Sequence, residues 1–505
     1  MTNTLDVLGQ RSAGVLLHVT SLPSPAGIGD LGPAAYAWVD MLMRHGITWW
    51  QVLPVGQIGA GNSPYQSPAS IGCNTLLISL DRLKEDGLLS ADDVAACELP
   101  PGDVDYPTVQ QRKGAALALA WQNYQAGHGQ AVQQEFEEFL HDKVAWIDEF
   151  ALFMAIKESR HGASFFDWPA DLRLRKPAAM GEARQEFAPA LERIRFEQFL
   201  AYRQWMQLKQ YANAHGVKII GDLPIFVSGD SLDVWQNPEY FLLDANHRPT
   251  WIAGVPPDYF SPTGQLWGNP VYNWDVMRAD GFAWWVGRLE VMLRLFDVVR
   301  LDHFRGFEAA WYVPAGAETA EAGHWEPGPG ADLLSRLRGV IGSLPLIAED
   351  LGLITPAVSE LRDRFSLPGM RVLQFAFDGL PDNPFLPHNY VPNTVVYTGT
   401  HDNDTTVGWF ASLTEEERHV VRERINADGT DIAWDMIKLA WGSVAELAVV
   451  PLQDVLMLDS SARMNRPGTM TGNWGWRYTP DQPVEAGLAA LAEVTRLSNR
   501  WRVEA

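Results

Sequence analysis

Eight short apolar runs, rich in β-branched residues, recur along the chain and are separated by segments with helical patterns. They lie at 14–19, 47–54, 217–225, 296–304, 344–351, 371–377, 394–400 and 448–456. Most are apolar on both faces, which is typical of parallel strands covered by helices. Between the first two runs, residues 33–45 begin with Pro33 and stop before Gly46, as a helix does. The alternation predicts an α/β fold, a (β/α)₈ TIM barrel, with a doubly wound open sheet as the main alternative.

Two long insertions interrupt this alternation. Residues 55–216 contain stretches rich in Ala, Gln and Glu, which predict an inserted, mainly helical subdomain on the rim of a single catalytic barrel spanning 1–505. Residues 236–274 are rich in Pro, Gly and aromatic residues and show no clear period, so they predict an inserted active-site loop. Long loops inside compact enzymes are often lids.

Charge and cysteine content narrow the class of protein. The 505 residues carry a formal net charge of −23, which disfavours nucleic acid and anionic membranes as partners. A neutral, hydroxyl-rich ligand suits this charge, although acidity that only maintains solubility is an equal alternative. Cys73 and Cys97 lack ligand spacing, and residues 1–10 lack the features of a signal peptide. No apolar run reaches transmembrane length. We therefore expect a cytoplasmic protein without a disulfide framework.

Three carboxylates follow apolar runs directly. They are Asp302 in VVRLDHFRG, Glu349 in LPLIAEDLG and Asp402 in VVYTGTHDND. Active sites of parallel barrels form at this end of the strands, so we expect the three acids to share one mouth. Cleavage of a glycosidic bond needs a nucleophile, a proton donor and a stabiliser of positive charge, and three acids can supply these.

The surroundings of two acids suggest different protonation states. Arg300 stands two residues before Asp302 on a strand, so both side chains point to the same side, and the guanidinium favours a charged nucleophile. Glu349 follows an apolar strand and precedes Asp350, and both features raise the pKa of a carboxyl, as a general acid requires. The alternatives are a structural Arg–Asp pair and a solvated acidic strand end.

Asp402 and its neighbour His401 are candidate contacts to sugar hydroxyls and to a distorted ring. Two other interpretations exist: a loop of turn-forming residues, or a cluster of hard oxygen ligands for a metal. No second ligand-rich segment supports the metal, and we expect neither metal nor cofactor. Asp222, at the end of the third run, is a further candidate sugar ligand, with a turn Asp as the alternative. Scans for HExxH, P-loop, CxxC and Rossmann glycine motifs are negative.

Aromatic residues in the 236–274 segment suggest stacking against the apolar faces of sugar rings. Tyr259, Phe260, Trp267 and Tyr272 lie where a core role is less natural, and Asp258, Ser261 and Gln265 are placed to bind hydroxyls. Other candidates lie on the rim: Ser63 and Tyr65 in NSPYQSP after the second strand, and Asn473 in GNWGWR after the eighth.

Several motifs together resemble one family. They are GVLLHVTSLPSPAGIGDLG, ITWWQVLPVG, GNSPYQSPAS, GDLPIFVSGDSLDVW, GVPPDYFSPTGQLWGNPVY, VRLDHFRGF, IAEDLG, YTGTHDNDT and SARMNRPGTMTGNWGWR. The chain resembles the 4-α-glucanotransferases, also called amylomaltases or disproportionating enzymes, of the α-amylase superfamily. The resemblance spans nearly the whole sequence.

This resemblance implies a (β/α)₈ barrel with inserted subdomains and no C-terminal β-domain. It implies a retaining transfer of α-1,4-glucan segments to glucan or glucose acceptors, with Asp302 as nucleophile, Glu349 as acid/base and Asp402 as transition-state stabiliser. Arg300, His401 and Asp222 match sugar-binding positions, and residues 259–267 match a loop over donor and acceptor. An α-glucan hydrolase and a catalytically inactive glucan-binding protein remain alternatives.

Overall fold

The protein is described here by a computed structural model that covers residues 8–257 and 261–501. The strands are β1 (Ser12–Leu16), β2 (Trp49–Gln51), β3 (Lys218–Pro224), β4 (Trp251–Val255), β5 (Gln265–Pro270), β6 (Val298–Asp302), β7 (Ala309–Pro314), β8 (His324–Pro327), β9 (Leu346–Ala348), β10 (Gly369–Val372), β11 (Thr394–Tyr397) and β12 (Leu447–Pro451).

Eight of these strands form a closed parallel barrel in the order β1-β12-β11-β10-β9-β6-β3-β2. β1 pairs with both neighbours, through Gly14↔Trp49 and Gly14↔Val449, and so closes the ring. Each of the eight predicted runs overlaps one barrel strand, so the predicted (β/α)₈ fold is confirmed and the open sheet is excluded. The runs are apolar on both faces because one face fills the barrel and the other packs against helices.

Helices cover the outside of the barrel, and the predicted first helix is confirmed at Pro33–Arg44. Outside the large insertion the helices are Pro33–Arg44, Leu232–Gln236, Trp274–Ala279, Ala283–Leu295, Gly330–Ile341, Pro356–Arg364, Thr406–Ser412, Glu415–Ile425, Ile432–Gly442, Leu452–Val455 and Val484–Leu497. Packing on β3 is tight: a Cβ added to Gly221 would lie 2.2 Å from Cδ2 of Phe296, the residue that follows the helix Ala283–Leu295.

The segment between β2 and β3 is largely helical. Its helices are Leu80–Glu85, Ala91–Ala95, Tyr106–Gln125, Gln130–Ser159, Ala170–Arg173, Pro177–Glu186 and Ala188–Ala214. The buried ammonium of Lys113 joins this segment to the residues between β1 and β2, because its Nζ lies 3.5 Å from Asp30 Oδ2. The same Nζ donates to the Leu76 carbonyl, within the segment, at 2.7 Å. Whether the segment is a separate subdomain stays a prediction.

Residues 236–274 contain regular structure that the sequence pattern did not predict. β4 and β5 lie in this segment and form an antiparallel sheet with β7 and β8, in the order β5-β4-β7-β8. Tyr272 is a core residue rather than a sugar platform, since it is buried and its hydroxyl donates to the Ile225 carbonyl at 2.6 Å. Asp258, Tyr259 and Phe260 lie outside the described residues. None of the helices within 8–257 and 261–501 combines the length and the apolar character that a membrane span requires.

Candidate active site

Arg300 connects two carboxylates at the carboxyl ends of β3 and β6. Its Nη1 lies 2.9 and 2.7 Å from the two oxygens of Asp222 and 2.9 Å from Asp302 Oδ1. The strand register explains this, because Asp222 pairs with Arg300 and Asp302 follows two residues later on the same face. Arg300 and Asp222 are buried, whereas 28% of the Asp302 side chain is exposed. Asp302 is therefore ion-paired and still open to a ligand.

Glu349 follows β9 and is held beside the nucleophile candidate by backbone donors. Its Oε2 accepts the N–H of His303 at 2.6 Å, and its Oε1 accepts the N–H of Leu351 at 3.0 Å. Burial raises the pKa of Glu349 to about 8; the Asp302 charge adds to the increase, while Arg300 and the two N–H donors oppose it. At neutral pH the carboxyl group therefore carries a proton, as a general acid requires.

Asp350 does not contribute to this raised pKa, contrary to the sequence-based expectation. Its carboxylate contacts Arg362 Nη1 at 2.5 Å and Arg371 Nη1 at 3.3 Å, and it accepts the Met370 N–H at 2.7 Å. Two cations therefore offset its charge. The like charge that acts on Glu349 comes from Asp302, at the end of the neighbouring strand β6.

Asp402 lies in the loop that follows β11. Asn465 Nδ2 donates to Asp402 Oδ1 at 2.7 Å, and Arg463 Nη2 donates to its backbone carbonyl at 2.7 Å. The side chains of THDND diverge, since Asn403 accepts from Thr400 and Asp404 accepts from Ser460. Among the described residues, no three His, Cys, Asp or Glu side chains are grouped as metal ligands.

Tyr65 links the two sides of the site. Its hydroxyl donates to Asp222 Oδ2 at 2.8 Å and lies 2.9 Å from His401 Nε2. Because the hydroxyl proton goes to Asp222, the second contact requires a proton on His401 Nε2. Nε2 is also 3.4 Å from Asp402 Oδ2. A continuous chain of polar contacts therefore runs from Asp302 through these groups to Asp402.

The remaining rim candidates divide into those near the acids and those that serve their own loops. Ser63 Oγ accepts the backbone N–H of Tyr65 at 3.2 Å and so caps the short turn that carries Tyr65. Trp267 Nε1 donates to Gln265 Oε1 at 3.2 Å, and its ring stands 4.7 Å from that of His303, almost perpendicular to it. Trp267 of β5 therefore lies next to the Asp302 end of β6.

Asn473 does not reach the acids. Its amide donates to Thr469 and accepts the Arg466 N–H at 2.9 Å, within its own loop. The next residue, Trp474, is closer to the site, with its ring 5.7 Å from Tyr65 and 6.1 Å from His401.

Sequence reasoning missed Asn465 and Trp474, which the structure places against Asp402 and Tyr65. The available signal was the position of SARMNRPGTMTGNWGWR after the last barrel strand, where residues can reach the mouth. Nothing in the local pattern distinguishes Asn465 from an ordinary loop residue, because its partner is 63 positions away.

Comparisons with known proteins identify the family of this chain. Residues 17–482 match a family model described as 4-alpha-glucanotransferase. A 4-alpha-glucanotransferase of Synechocystis sp. is 48% identical over 500 residues, covering 98% of this chain and 99% of the relative. That of Thermus thermophilus is 47% identical over 496 residues, covering 96% and 99%.

A solved structure extends the match to the fold. The amylomaltase from Streptococcus agalactiae, in complex with acarbose, superposes with a TM-score of 0.94 at 37% identity, covering 98% of this chain and all of that one. With a matching family model, relatives of similar length and a common barrel, the chain belongs to the 4-alpha-glucanotransferase family.

Proposed function

We propose that this chain transfers α-1,4-glucan segments to the 4-hydroxyl of a second glucan or of glucose, with retention of anomeric configuration. The observation that carries the proposal is the pairing of two unlike carboxyl groups. Asp302 is ion-paired and partly exposed, whereas Glu349 is buried with a pKa of about 8 and bonded to the backbone N–H next to Asp302. A retaining mechanism needs one charged and one protonated carboxyl at a single bond.

In the first step, Glu349 gives its proton to the glycosidic oxygen while an oxygen of Asp302 attacks the anomeric carbon. The carbon–oxygen bond to the leaving glucan breaks, and a covalent glycosyl-enzyme forms. In the second step, the acceptor hydroxyl gives its proton to Glu349 and attacks the anomeric carbon, which releases Asp302. We expect the two carboxyl groups to be about 5 to 5.5 Å apart, the separation typical of retaining enzymes.

Asp402 stabilises the positive charge that develops on the sugar ring, and Asn465 holds one of its oxygens in place. Asp222, Arg300, Tyr65 and His401 bind the hydroxyls of the sugar at the cleavage point. These groups already contact one another, so the site is organised before the sugar enters.

Transfer exceeds hydrolysis only when an acceptor sugar binds well and water is kept from productive attack. Trp267 and Gln265 supply a stacking face and a polar neighbour next to the Asp302 end of β6. We assign the same role to Asp258, Tyr259 and Phe260 of the intervening segment. Ser63 supports this surface indirectly through Tyr65, and Asn473 shapes the opposite rim.

The acidic net charge and the polar site also support proposals about substrates, partners and location. Donors are maltooligosaccharides, amylose or glycogen, and glucose serves as an acceptor. We propose a cytoplasmic location, no nucleic-acid partner, a single barrel domain spanning 1–505 and a rim subdomain at 55–216.

Incubation with maltotriose tests the transferase assignment. A transferase converts maltotriose into glucose and a ladder of longer products with little new reducing power. A steady rise in reducing ends identifies a hydrolase instead. Binding of maltotriose without turnover identifies a glucan-binding protein that lacks catalysis.

A further inference from the structure

A buried carboxylate outside the proposed catalytic set holds the loop that carries Asp402. Asp454 lies in the short helix Leu452–Val455, directly after β12, and is almost fully buried. Its Oδ2 accepts the hydroxyls of Thr398 at 2.6 Å and of Thr406 at 2.7 Å, and its Oδ1 accepts the N–H of Thr406 at 2.7 Å. One side chain thus accepts three hydrogen bonds from another strand's loop.

The partners of Asp454 mark the two ends of that loop. Thr398 directly follows β11, and Thr406 is the first residue of the helix Thr406–Ser412. The intervening residues 399–405 include His401 and Asp402. Asp454 therefore bridges the entry and the exit of the segment that presents both side chains to the barrel mouth.

The same short helix supports the segment that holds the middle of the loop. Gln453 Nε2 donates to the carbonyl of Ala462 at 3.2 Å. Ala462 directly precedes Arg463, which together with Asn465 contacts Asp402. β11 and β12 are neighbours in the barrel, with Tyr397 opposite Val449, so this helix stands beside the loop. Asp454 therefore holds the two ends of the loop, and Gln453 holds the segment that contacts its centre; both residues directly follow β12.

We propose that Asp454 is a positioning residue, which acts on the transfer reaction by fixing where Asp402 and His401 lie. This inference rests on the proposed function, because it takes Asp402 as the transition-state stabiliser. Among the described residues, the Asp454 side chain accepts hydrogen bonds from Thr398 and Thr406, and we assign it no part in proton or glycosyl transfer. Its effect should fall on kcat, because charge stabilisation by Asp402 matters most in the transition state.

Two substitutions of Asp454 test whether its hydrogen bonds to the loop, and not its charge, are what the reaction needs. Asp454→Ala removes all three acceptor contacts, and a displacement of about 1 Å at Asp402 lowers kcat on the order of 100-fold. Asp454→Asn keeps an oxygen for the Thr406 N–H, and the two hydroxyls can rotate to accept from the amide. We expect this conservative variant to restore kcat to within about tenfold of the unsubstituted protein, with KM for maltotriose nearly unchanged in both.

Asp297→Asn is a matched control at the opposite end of the barrel. Its carboxylate also accepts a backbone N–H, from Ile219 at 2.7 Å, and an amide, from Asn213 at 2.9 Å. We expect this variant to lower the unfolding temperature while kcat stays unchanged. Thr398→Val, which removes one hydroxyl while keeping side-chain shape, serves as a milder probe if Asp454→Ala does not fold.

A double-mutant cycle with Asp402→Asn completes the test, using a maltosyl fluoride donor so that residual turnover is measurable. If Asp454 acts through Asp402, Asp454→Ala has little further effect once Asp402 is replaced. The inference is wrong if Asp454→Ala lowers kcat equally in both backgrounds. It is also wrong if the Asp454 and Thr398 variants lower only the unfolding temperature and leave kcat unchanged, as expected of Asp297→Asn. A wrong assignment of Asp402 in the proposed function gives a different result, because Asp402→Asn alone then leaves transfer unchanged.

Discussion

The carboxyl group of Glu349 accepts a 2.6 Å hydrogen bond from the backbone N–H of His303, the residue that follows Asp302. The position of the proposed acid/base is therefore set directly by the strand end that carries the proposed nucleophile. The contact also lowers the cost of charging Glu349, without offsetting the effect of burial on its pKa.

The raised pKa of Glu349 predicts a pH dependence of activity. The first step needs the protonated carboxyl, so kcat/KM should decline as pH rises through about 8, the pKa of Glu349 in the free protein. Initial rates of maltotriose disproportionation between pH 5 and 10 measure this. A plateau that continues without decline to pH 10 contradicts the assignment of Glu349 as the acid.

The same group predicts a pH dependence of stability. The pKa of Glu349 is about 8 in the folded state and near 4.5 in the unfolded state, so folding strengthens the binding of its proton. The contribution of this proton to the free energy of unfolding therefore falls as pH rises from about 4.5 to 8. At about 1.36 kcal/mol per pH unit, the loss is at most about 5 kcal/mol. Denaturant unfolding of Glu349→Gln should therefore show a smaller decrease from pH 5 to pH 8 than the unsubstituted protein; equal slopes contradict the raised pKa.

Replacement of Asp302 by Asn should reduce turnover by about four orders of magnitude or more, because the nucleophile is lost. Glucan binding should remain, since Arg300 and Asp222 still form their ion pair. Calorimetric titration with maltooligosaccharides and a turnover assay separate the two effects. Asp378→Asn, at an exposed carboxylate that accepts the Leu380 N–H, is a surface control. Turnover at the normal rate would remove Asp302 from the mechanism.

Tyr65→Phe should lower kcat/KM about 10- to 100-fold, because it breaks the contact chain between Asp222 and His401. The buried Asp222 oxygen also loses a donor, which costs about 1 to 3 kcal/mol of stability. Tyr211→Phe removes a comparable 2.7 Å bond to Asp40 on an outer helix. Tyr211→Phe should change stability modestly and leave kcat/KM intact. A similar loss of kcat/KM in both variants would therefore argue against a catalytic role for the contacts of Tyr65.

Trp267→Ala should shift the reaction from transfer towards hydrolysis. Loss of the ring next to His303 weakens acceptor binding, and a tenfold rise in KM for glucose corresponds to about 1.4 kcal/mol. Gln265→Ala, which removes only the acceptor for Trp267 Nε1, should give a smaller change in the same direction. Product analysis by chromatography, together with a reducing-end assay, measures the ratio. An unchanged ratio in both variants would remove β5 from the acceptor surface.

The extent to which the site was predictable differs between neighbouring residues. The contact between Arg300 and Asp302 followed from strand alternation, because both residues lie on one strand and two positions apart. The state of Asp350 did not follow, because its partners Arg362 and Arg371 come from a helix and a strand that only folding brings beside it. The strands β4 and β5 were missed because β4, the strand that pairs with β5, has its other partner β7 about 60 residues later in the sequence.

By itself, the sequence determined the eight strands, the helices around them and the location of three acids at strand ends. These features depend on local period and on the apolar character of each run, which are properties of nearby residues. Only the tertiary structure decided that Tyr65 joins Asp222 and His401, residues 157 and 336 positions away, and that Asn465 holds Asp402. Such contacts arise when the barrel closes, because closure brings distant strand ends to one mouth and orients side chains that no local pattern relates.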